Sequence, residues 1–441
     1  MQPSDWKSFE AAAARVRVLR SPRPWEDQVY YFDPNIFKSL ACAAQGRTRL
    51  LPRLQRLTWD TRSDDIYPYI FLFLTPTITN LTLSISTGNI ASDRMRFSVL
   101  GSLVSQCPSM RSLELLAERS SLKNSVHSWT DLFSSGQASS ASTLFSLWTA
   151  LDTLHFQRID ISTLTDVIAQ LPVLTTLKLH ACQTKLLPSS SVTGFPALRH
   201  LSMEDCSIDS CLYVLKRMSC STLSSLVLHV KVPYASNESR WTDLFSNLQK
   251  SISRDSLTIA TFFISGSQFP IPLSFQSISP LLHFQNISEF DCGGTNLDLG
   301  DDDVIRIAKA WPRLKTFMID SSPNPSKPRS TLHALATLAM HCPELEFLVI
   351  SIDATIVIDY EDKGQPGKGR FDSRLRKLNV GHSPIDDPDR VAAFIADIFP
   401  NVTKMSVACE SHAVNKQKWK EVERMLPVLA ASRRQEVTLK S

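Results

Sequence analysis

Leu174-Thr175-Thr176-Leu177-Lys178-Leu179-His180-Ala181-Cys182 decides the fold. Leu177 and Leu179 are two residues apart, so on a strand they point to one side, while Thr176, Lys178 and His180 point to the other. Leu174 leads into the strand and packs inward at the turn. The same spelling, apolar-x-x-Leu-x-apolar, recurs along the chain. Pro52, Pro76, Pro108, Pro172, Pro196, Pro312, Pro343 and Pro400 each precede a copy, and five more copies lack the Pro. The first apolar residues are Leu54, Ile78, Met110, Leu151, Leu174, Leu198, Leu223, Ile259, Ile287, Leu314, Leu345, Leu375 and Val402. Steps of roughly 20 to 50 residues mark a repeat architecture, and Leu-x-x-Leu-x-Leu is the strand of a leucine-rich repeat.

One such strand cannot bury its apolar side alone, so neighbouring copies stack in parallel and make a continuous core. Parallel strands need crossovers. Asp302–Trp311 has acids in its first turn and apolar residues at helical spacing, and similar patterns occupy Thr331–His341, Asp389–Ile398 and Met95–Gln106. The Pro after a crossover stops its helix and biases the preceding residue to an extended form. The expected fold class is α/β: a leucine-rich-repeat solenoid, shaped as a horseshoe or arc, with a parallel concave sheet and helical or irregular convex crossovers. Residues 1–44 read as a helical lead-in or N-terminal cap. Residues 45–441 read as one solenoid of about 13 irregular repeats with a C-terminal helix. Inserted loops are expected at Ser134–Ser140, Ser321–Arg329 and Tyr360–Arg370, rich in Ser, Pro, and Gly with charge respectively.

Composition narrows the function classes. The 441 residues are 43% hydrophobic, enough for a large core, and the net charge of +4 makes no electrostatic case for nucleic-acid binding. The uncharged stretch between Asp65 and Asp93 is broken by Pro68, Pro76 and many hydroxyl residues, so no membrane span is expected. Met1–Trp6 lacks a charged-then-apolar secretory signal. Nine Cys without paired spacing fit a reducing compartment, so a cytoplasmic or nuclear location is expected. Sequons at Asn80, Asn237, Asn286 and Asn401 then occur by chance.

The strand parity nominates a contact surface. Outward positions carry Thr153, His155 and Gln157; then Thr176, Lys178 and His180; then His200, Ser202 and Glu204; then Ser225, Val227 and His229. Seventh positions of three neighbouring copies are His180, Glu204 and His229. Two His and a Glu is a legitimate zinc set, but solvent-facing His on a binding surface is ordinary, and a polar or pH-sensitive contact patch is the preferred reading. Further along, Glu289, Asp291 and Asp320 make the surface acidic, with Phe263, Met318, Phe347 and Val349 as apolar anchors. The expected partner-binding residues are thus His155, Lys178, His180, His200, Glu204 and His229, followed by Glu289, Asp291 and Asp320. No catalytic residue, metal ligand or cofactor is expected.

Other conspicuous residues read as scaffold. Cys182 and Cys206 take the ninth position, where a small buried side chain lies at the bend. Cys107 and Cys342, just before the Pro, look equally structural. Asp298, Asp301, Asp302 and Asp303 fit acids opening a helix better than a cation loop. Gly367-Lys368 lacks the remaining residues of a phosphate loop, and no Gly-x-Ser-x-Gly, His-Glu-x-x-His or Cys-x-x-Cys occurs.

Asp5-Trp6-Lys7-Ser8-Phe9, with Ala13-Ala14-Arg15-Val16-Arg17-Val18-Leu19, resembles the helix that leads into the repeats of F-box-like leucine-rich-repeat proteins of mushroom-forming fungi. Leu51–Trp59 and Phe71–Leu83 look like their first two strands. That resemblance implies a non-enzymatic scaffold, the target-recognition part of a cullin-RING ubiquitin-ligase receptor. No Leu-Pro-x-Glu-type F-box precedes Asp5, so a ligase adaptor is an expected partner only if that segment lies upstream. The expected function is therefore binding of an unidentified protein target, with no nucleic-acid or membrane partner. A stand-alone sensor or inhibitor is the alternative, and a metal-dependent hydrolase using His180, Glu204 and His229 is the outside one.

Overall fold

The computed structural model describes residues 3–20, 34–44, 49–59, 65–86, 99–117, 127–128, 145–162, 164–184, 193–219, 222–231, 238–265, 271–319, 327–356, 373–402, 404–407 and 413–440. The expected loops at Ser134–Ser140 and Tyr360–Arg370, most of Ser321–Arg329, the first residues of the Met95–Gln106 helix, Asn237 and Asp320 lie outside the described residues. The chain divides into two compact units, Met1–Cys220 and Ser221–Ser441, where the sequence reads as one solenoid from residue 45.

In the first unit, seven strands pair in parallel in chain order. They are β1 (Val18–Arg20), β2 (Arg56–Trp59), β3 (Asn80–Ser86), β4 (Ser112–Ala117), β5 (Thr153–Gln157), β6 (Thr176–His180) and β7 (His200–Cys206). The second unit repeats the pattern with β8 (Ser225–Lys231), β9 (Ile259–Ser265), β10 (Glu289–Asp291), β11 (Thr316–Met318), β12 (Phe347–Val349), β13 (Lys377–Asn379) and β14 (Lys404–Ser406). Every copy of the phrase lays down one strand two residues after its first apolar residue, the Ile259 copy excepted. The fold class is the α/β leucine-rich-repeat solenoid.

Burial follows the spelling. First-position Leu54, Ile78, Met110, Leu151, Leu174 and Leu198 are fully buried, as are fourth-position Leu57, Leu81, Leu113, Leu154, Leu177 and Leu201. The second unit keeps both columns, substituting Ala260, Phe290, Phe317 and Met405 at the fourth position. A lateral hydrogen-bond pattern fixes the register: in both units the carbonyl of a second-position residue recurrently accepts two consecutive amides from the next copy. Thr175 O accepts from Arg199 N and His200 N, and Thr258 O accepts from Ser288 N and Glu289 N.

That pattern corrects two expectations. Ser224 O accepts from Thr258 N and Ile259 N, so this copy starts at the buried Leu257, not at Ile259. Leu257 and Ile259 are both apolar and two apart, and a slip of two leaves every side chain on its expected face. Arg17 O likewise accepts from Gln55 N and Arg56 N. β1 (Val18–Arg20) is therefore the strand of a further repeat copy that starts at Val16, inside the segment expected as a helical lead-in. The helix α1 (Pro3–Ala13) stops before it, and α2 (Pro34–Ala44) follows.

The crossovers are helical where acids and apolar spacing indicate it. In the first unit α3 (Ile208–Leu215) starts at Ser207, whose hydroxyl accepts from Ser210 N. In the second unit α4 (Glu238–Ser251), α5 (Asp301–Ala310), α6 (Leu332–His341), α7 (Pro388–Ile398) and α8 (Ala413–Lys440) follow. Two acids in the first turn of α5 have structural roles. Asp303 accepts from Gly300 N at 3.0 Å, and Asp301 accepts from Thr331 N and Thr331 Oγ1 at 2.8 and 2.7 Å. One carboxylate thus ties the start of α5 to the start of α6. Val349, expected as an exposed anchor, is buried, because this short side chain lies between Met318 and Asn379 of the adjoining strands.

Candidate functional site

In the first unit the outward side chains form rows across the strands. The fifth-position row runs Thr82, Glu114, His155, Lys178 and Ser202 from β3 to β7. Thr82 Oγ1 donates to Glu114 Oε2 at 2.8 Å, and Glu114 Oε1 lies 2.7 Å from His155 Nδ1. An ionised carboxylate only accepts, so the proton of this pair sits on the imidazole. His155 is thereby fixed in orientation. Lys178, next in the row, is exposed and makes no ion pair among the described residues.

The seventh-position row holds the second pair. His180 on β6 faces Glu204 on β7, with Nδ1 3.7 Å from Glu204 Oε2 and Nε2 4.0 Å from Asp205 Oδ2. Asp205 reaches the ring because its backbone is left-handed, with φ +53°. Arg158 and Ala181, also eighth in their copies, share that conformation at φ +58° and +50°. The eighth position thus takes the same left-handed backbone in three successive repeats. Ser202 Oγ donates to Glu204 Oε1 at 3.0 Å. This order, hydroxyl to acid to imidazole, leaves the serine without an adjacent base, unlike the hydroxyl-imidazole-acid order that activates a nucleophile. His200 is exposed at the start of β7, opposite Thr176.

In the second unit His229 and Phe263 are adjacent seventh-position residues of β8 and β9. Their rings are 5.5 Å apart and tilted by 58°, and Phe263 is 41% exposed. Glu289 is exposed on β10, whereas Asp291 is half-buried and its Oδ1 accepts from Gly293 N at 3.0 Å. Asn379, at the same position of β13, accepts from Gly381 N at 2.9 Å in the same manner. Lys377 lies 5.8 Å from the Phe347 ring centre. His180 and Glu204 therefore lie in one unit and His229 in the other. Among the described residues no group of three or more His, Cys, Asp and Glu is placed to hold a metal ion.

Under the strands the ninth-position cysteines are scaffold. Cys182 and Cys206 are buried, with Sγ 3.4 Å from Phe156 O and 3.6 Å from Leu179 O. Burial pushes the Cys182 thiol up to about 12 and the Cys206 thiol well above its ordinary value. Neither supplies a thiolate nucleophile. Cys107 and Cys342 are equally buried, and Cys342 Sγ lies 3.5 Å from Trp311 O.

The residues expected from the sequence omit Glu114 and Asp205. Glu114 is fifth in its copy, so writing the rows from Met110 onward finds it beside His155. Asp205 has no such signal, since its side chain reaches His180 through a left-handed backbone.

The strand face with its paired ionic side chains defines a leucine-rich-repeat protein of the two-sided kind, apolar beneath and polar above. No family model matches the sequence, and no curated protein matches it. Solved structures that align with it include the yeast Rad7 and Elc1 complex, at TM-score 0.39 and 16% identity over 95% of this chain and 96% of that one. A leucine-rich-repeat protein of Leptospira interrogans aligns at TM-score 0.39 and 14% identity, over 94% and 96%. Likenesses this distant do not bear on function, and the fold rests on the strand register itself.

Proposed function

We propose that the protein is a non-enzymatic scaffold that binds another protein through the outward face of its strands. The observation that carries this reading is the row of held ionic groups on β4 to β7. Glu114 fixes His155, and Glu204 with Asp205 flanks His180. Lys178 and His200 stand exposed among them. Side chains already oriented lose less freedom on association, which favours recognition. Parallel strands space such groups about 4.8 Å apart on a rigid support. Glu289 and Asp291 extend the reading to the second unit, and Asp320 completes the acidic set proposed from the sequence.

A finer form of the proposal makes the repeats the target-holding part of an F-box-type ubiquitin-ligase receptor, in the cytoplasm or nucleus. The lead-in resemblance supports it, and the free thiols of the described cysteines suit a reducing compartment. The experiment is affinity capture with the intact chain, comparing Lys178→Glu with His200→Glu against a Lys309→Glu control on α5. The strand-face variant should lose its partner and the control should keep it. Unchanged capture by the strand-face variant would overturn the assignment. A ligase adaptor in the captured material supports the finer form, and its absence favours a stand-alone binder.

A further inference from the structure

The third positions of the strands make a row across the second unit, and its last two members conflict. Lys377 on β13 and Lys404 on β14 are register partners, directly opposite each other. Both are exposed, and neither makes an ion pair among the described residues. Like charges directly opposite each other destabilise a sheet. Among the described residues no other like-charge pair meets at the third and fifth positions of β8 to β14. A local conflict of this kind is characteristic of a surface that serves binding.

The outward neighbours do not relieve it. The third and fifth positions of β12 to β14 hold Phe347, Val349, Lys377, Asn379, Lys404 and Ser406, with no carboxylate among them. Just before these strands Arg374 and Arg376 bring two cations and Glu346 one exposed anion, and Glu344 is engaged by Lys315 at 3.8 Å. The Lys377 ammonium lies 5.8 Å from the Phe347 ring centre. Phe347 and Met318 on β11 are half-buried, so each leaves apolar surface open. An excess of cations beside open apolar surface is complementary to an acidic chain that carries an apolar residue next to its acids. Strands lie about 4.8 Å apart, so Phe347 and Lys404 are separated by about 9.6 Å, which three residues of extended chain at about 3.3 Å each would cover.

We propose that Lys377 and Lys404, bordered by the Phe347 ring, form a receptor for an acidic segment of the partner protein. This deepens the scaffold reading and rests on it. The segment crosses the strands with an apolar side chain on Phe347, and the carboxylates of its next residues supply the anion that the lysine pair lacks.

The test uses the full chain at low salt and a rhodamine-labelled peptide of one leucine followed by four glutamates, against the same peptide with four glutamines. Fluorescence anisotropy should rise saturably with the glutamate peptide alone. Its affinity should fall about tenfold in Lys377→Gln combined with Lys404→Gln, a loss of about 1.4 kcal/mol. Lys309→Gln combined with Lys420→Gln changes the net charge equally at exposed helix positions and should leave the affinity as it was. Because the strand variant relieves a repulsion, its urea midpoint should lie at or above that of the unaltered chain. An equal response to the glutamine peptide, an unchanged affinity in the strand variant, an equal loss in the helix variant, or a lowered midpoint would overturn the proposal. Loss of partner capture through Lys178 and His200, with no response to the glutamate peptide, would sink this inference and leave the scaffold reading standing.

Discussion

Phe262 and Phe263 are adjacent in sequence and lie on opposite faces of β9, so truncating each tests the strand parity directly. Phe262 is fully buried, 4.8 Å edge-on from Phe245 and 6.2 Å from Phe290. Its replacement by Ala removes a whole ring from a packed layer and leaves a cavity, at about 3–5 kcal/mol. Phe263 is 41% exposed and opens to solvent, so Phe263→Ala leaves no closed cavity. Full burial of a Phe side chain contributes about 1.5–3 kcal/mol, and the buried fraction here accounts for roughly 1–2 kcal/mol. The two variants should therefore differ by about 2–3 kcal/mol. Repeat arrays need not unfold in one step, so urea midpoints are best combined with native-state hydrogen exchange over Ile259–Ser265. Phe262→Ala should accelerate exchange of these amides far more than Phe263→Ala. Equal losses, or a larger loss at Phe263, would refute the strand parity that turns Phe262 inward and Phe263 outward.

Three further outcomes follow from the same geometry. Gly294→Ala forces a side chain into φ +69° against Ile264 O and should destabilise the second unit by more than about 1 kcal/mol in urea unfolding. Asp301→Ala removes both bonds to Thr331 and should cost about 2–3 kcal/mol, seen as faster exchange at the start of α6. Burial raises the thiols of Cys107, Cys182, Cys211, Cys292 and Cys342 to about 12. The unfolded chain then loses these protons first as pH rises. Stability should be unaffected below about pH 9 and fall between pH 9 and 12, read as a declining urea midpoint. Over the same range the exposed Cys42 should alkylate in the native protein, with the six buried thiols of the described residues, Cys206 included, protected until unfolding.

How much of this was legible in the sequence depends on the range of the interaction. Leu177 and Leu179 declare their strand because a two-residue period is local, and Asp302–Trp311 declares its helix through first-turn acids. Leu257 and Ile259 defeat the count, since two apolar residues at strand spacing are interchangeable until lateral hydrogen bonds choose between them. Val18–Arg20 was hidden for a different reason. Its copy keeps Val16 and Leu19 at the first and fourth positions but has Ser21 at the sixth, so the phrase breaks off. The outward placement of His155, Lys178, His180, His200 and Glu204 came from parity alone. Their pairing did not, because Glu114 lies 41 residues before His155 and Asp205 meets His180 only through a left-handed bend.

The central claim is that partners touch the outward row of the strands and not the crossover helices. Photo-crosslinking tests it most directly, with benzoylphenylalanine placed singly at Lys178, at Phe263 or at Lys309 on α5. The account predicts crosslinks to the captured partner from Lys178 and Phe263 and none from Lys309. Crosslinks from Lys309 with silence at the two strand positions would contradict it.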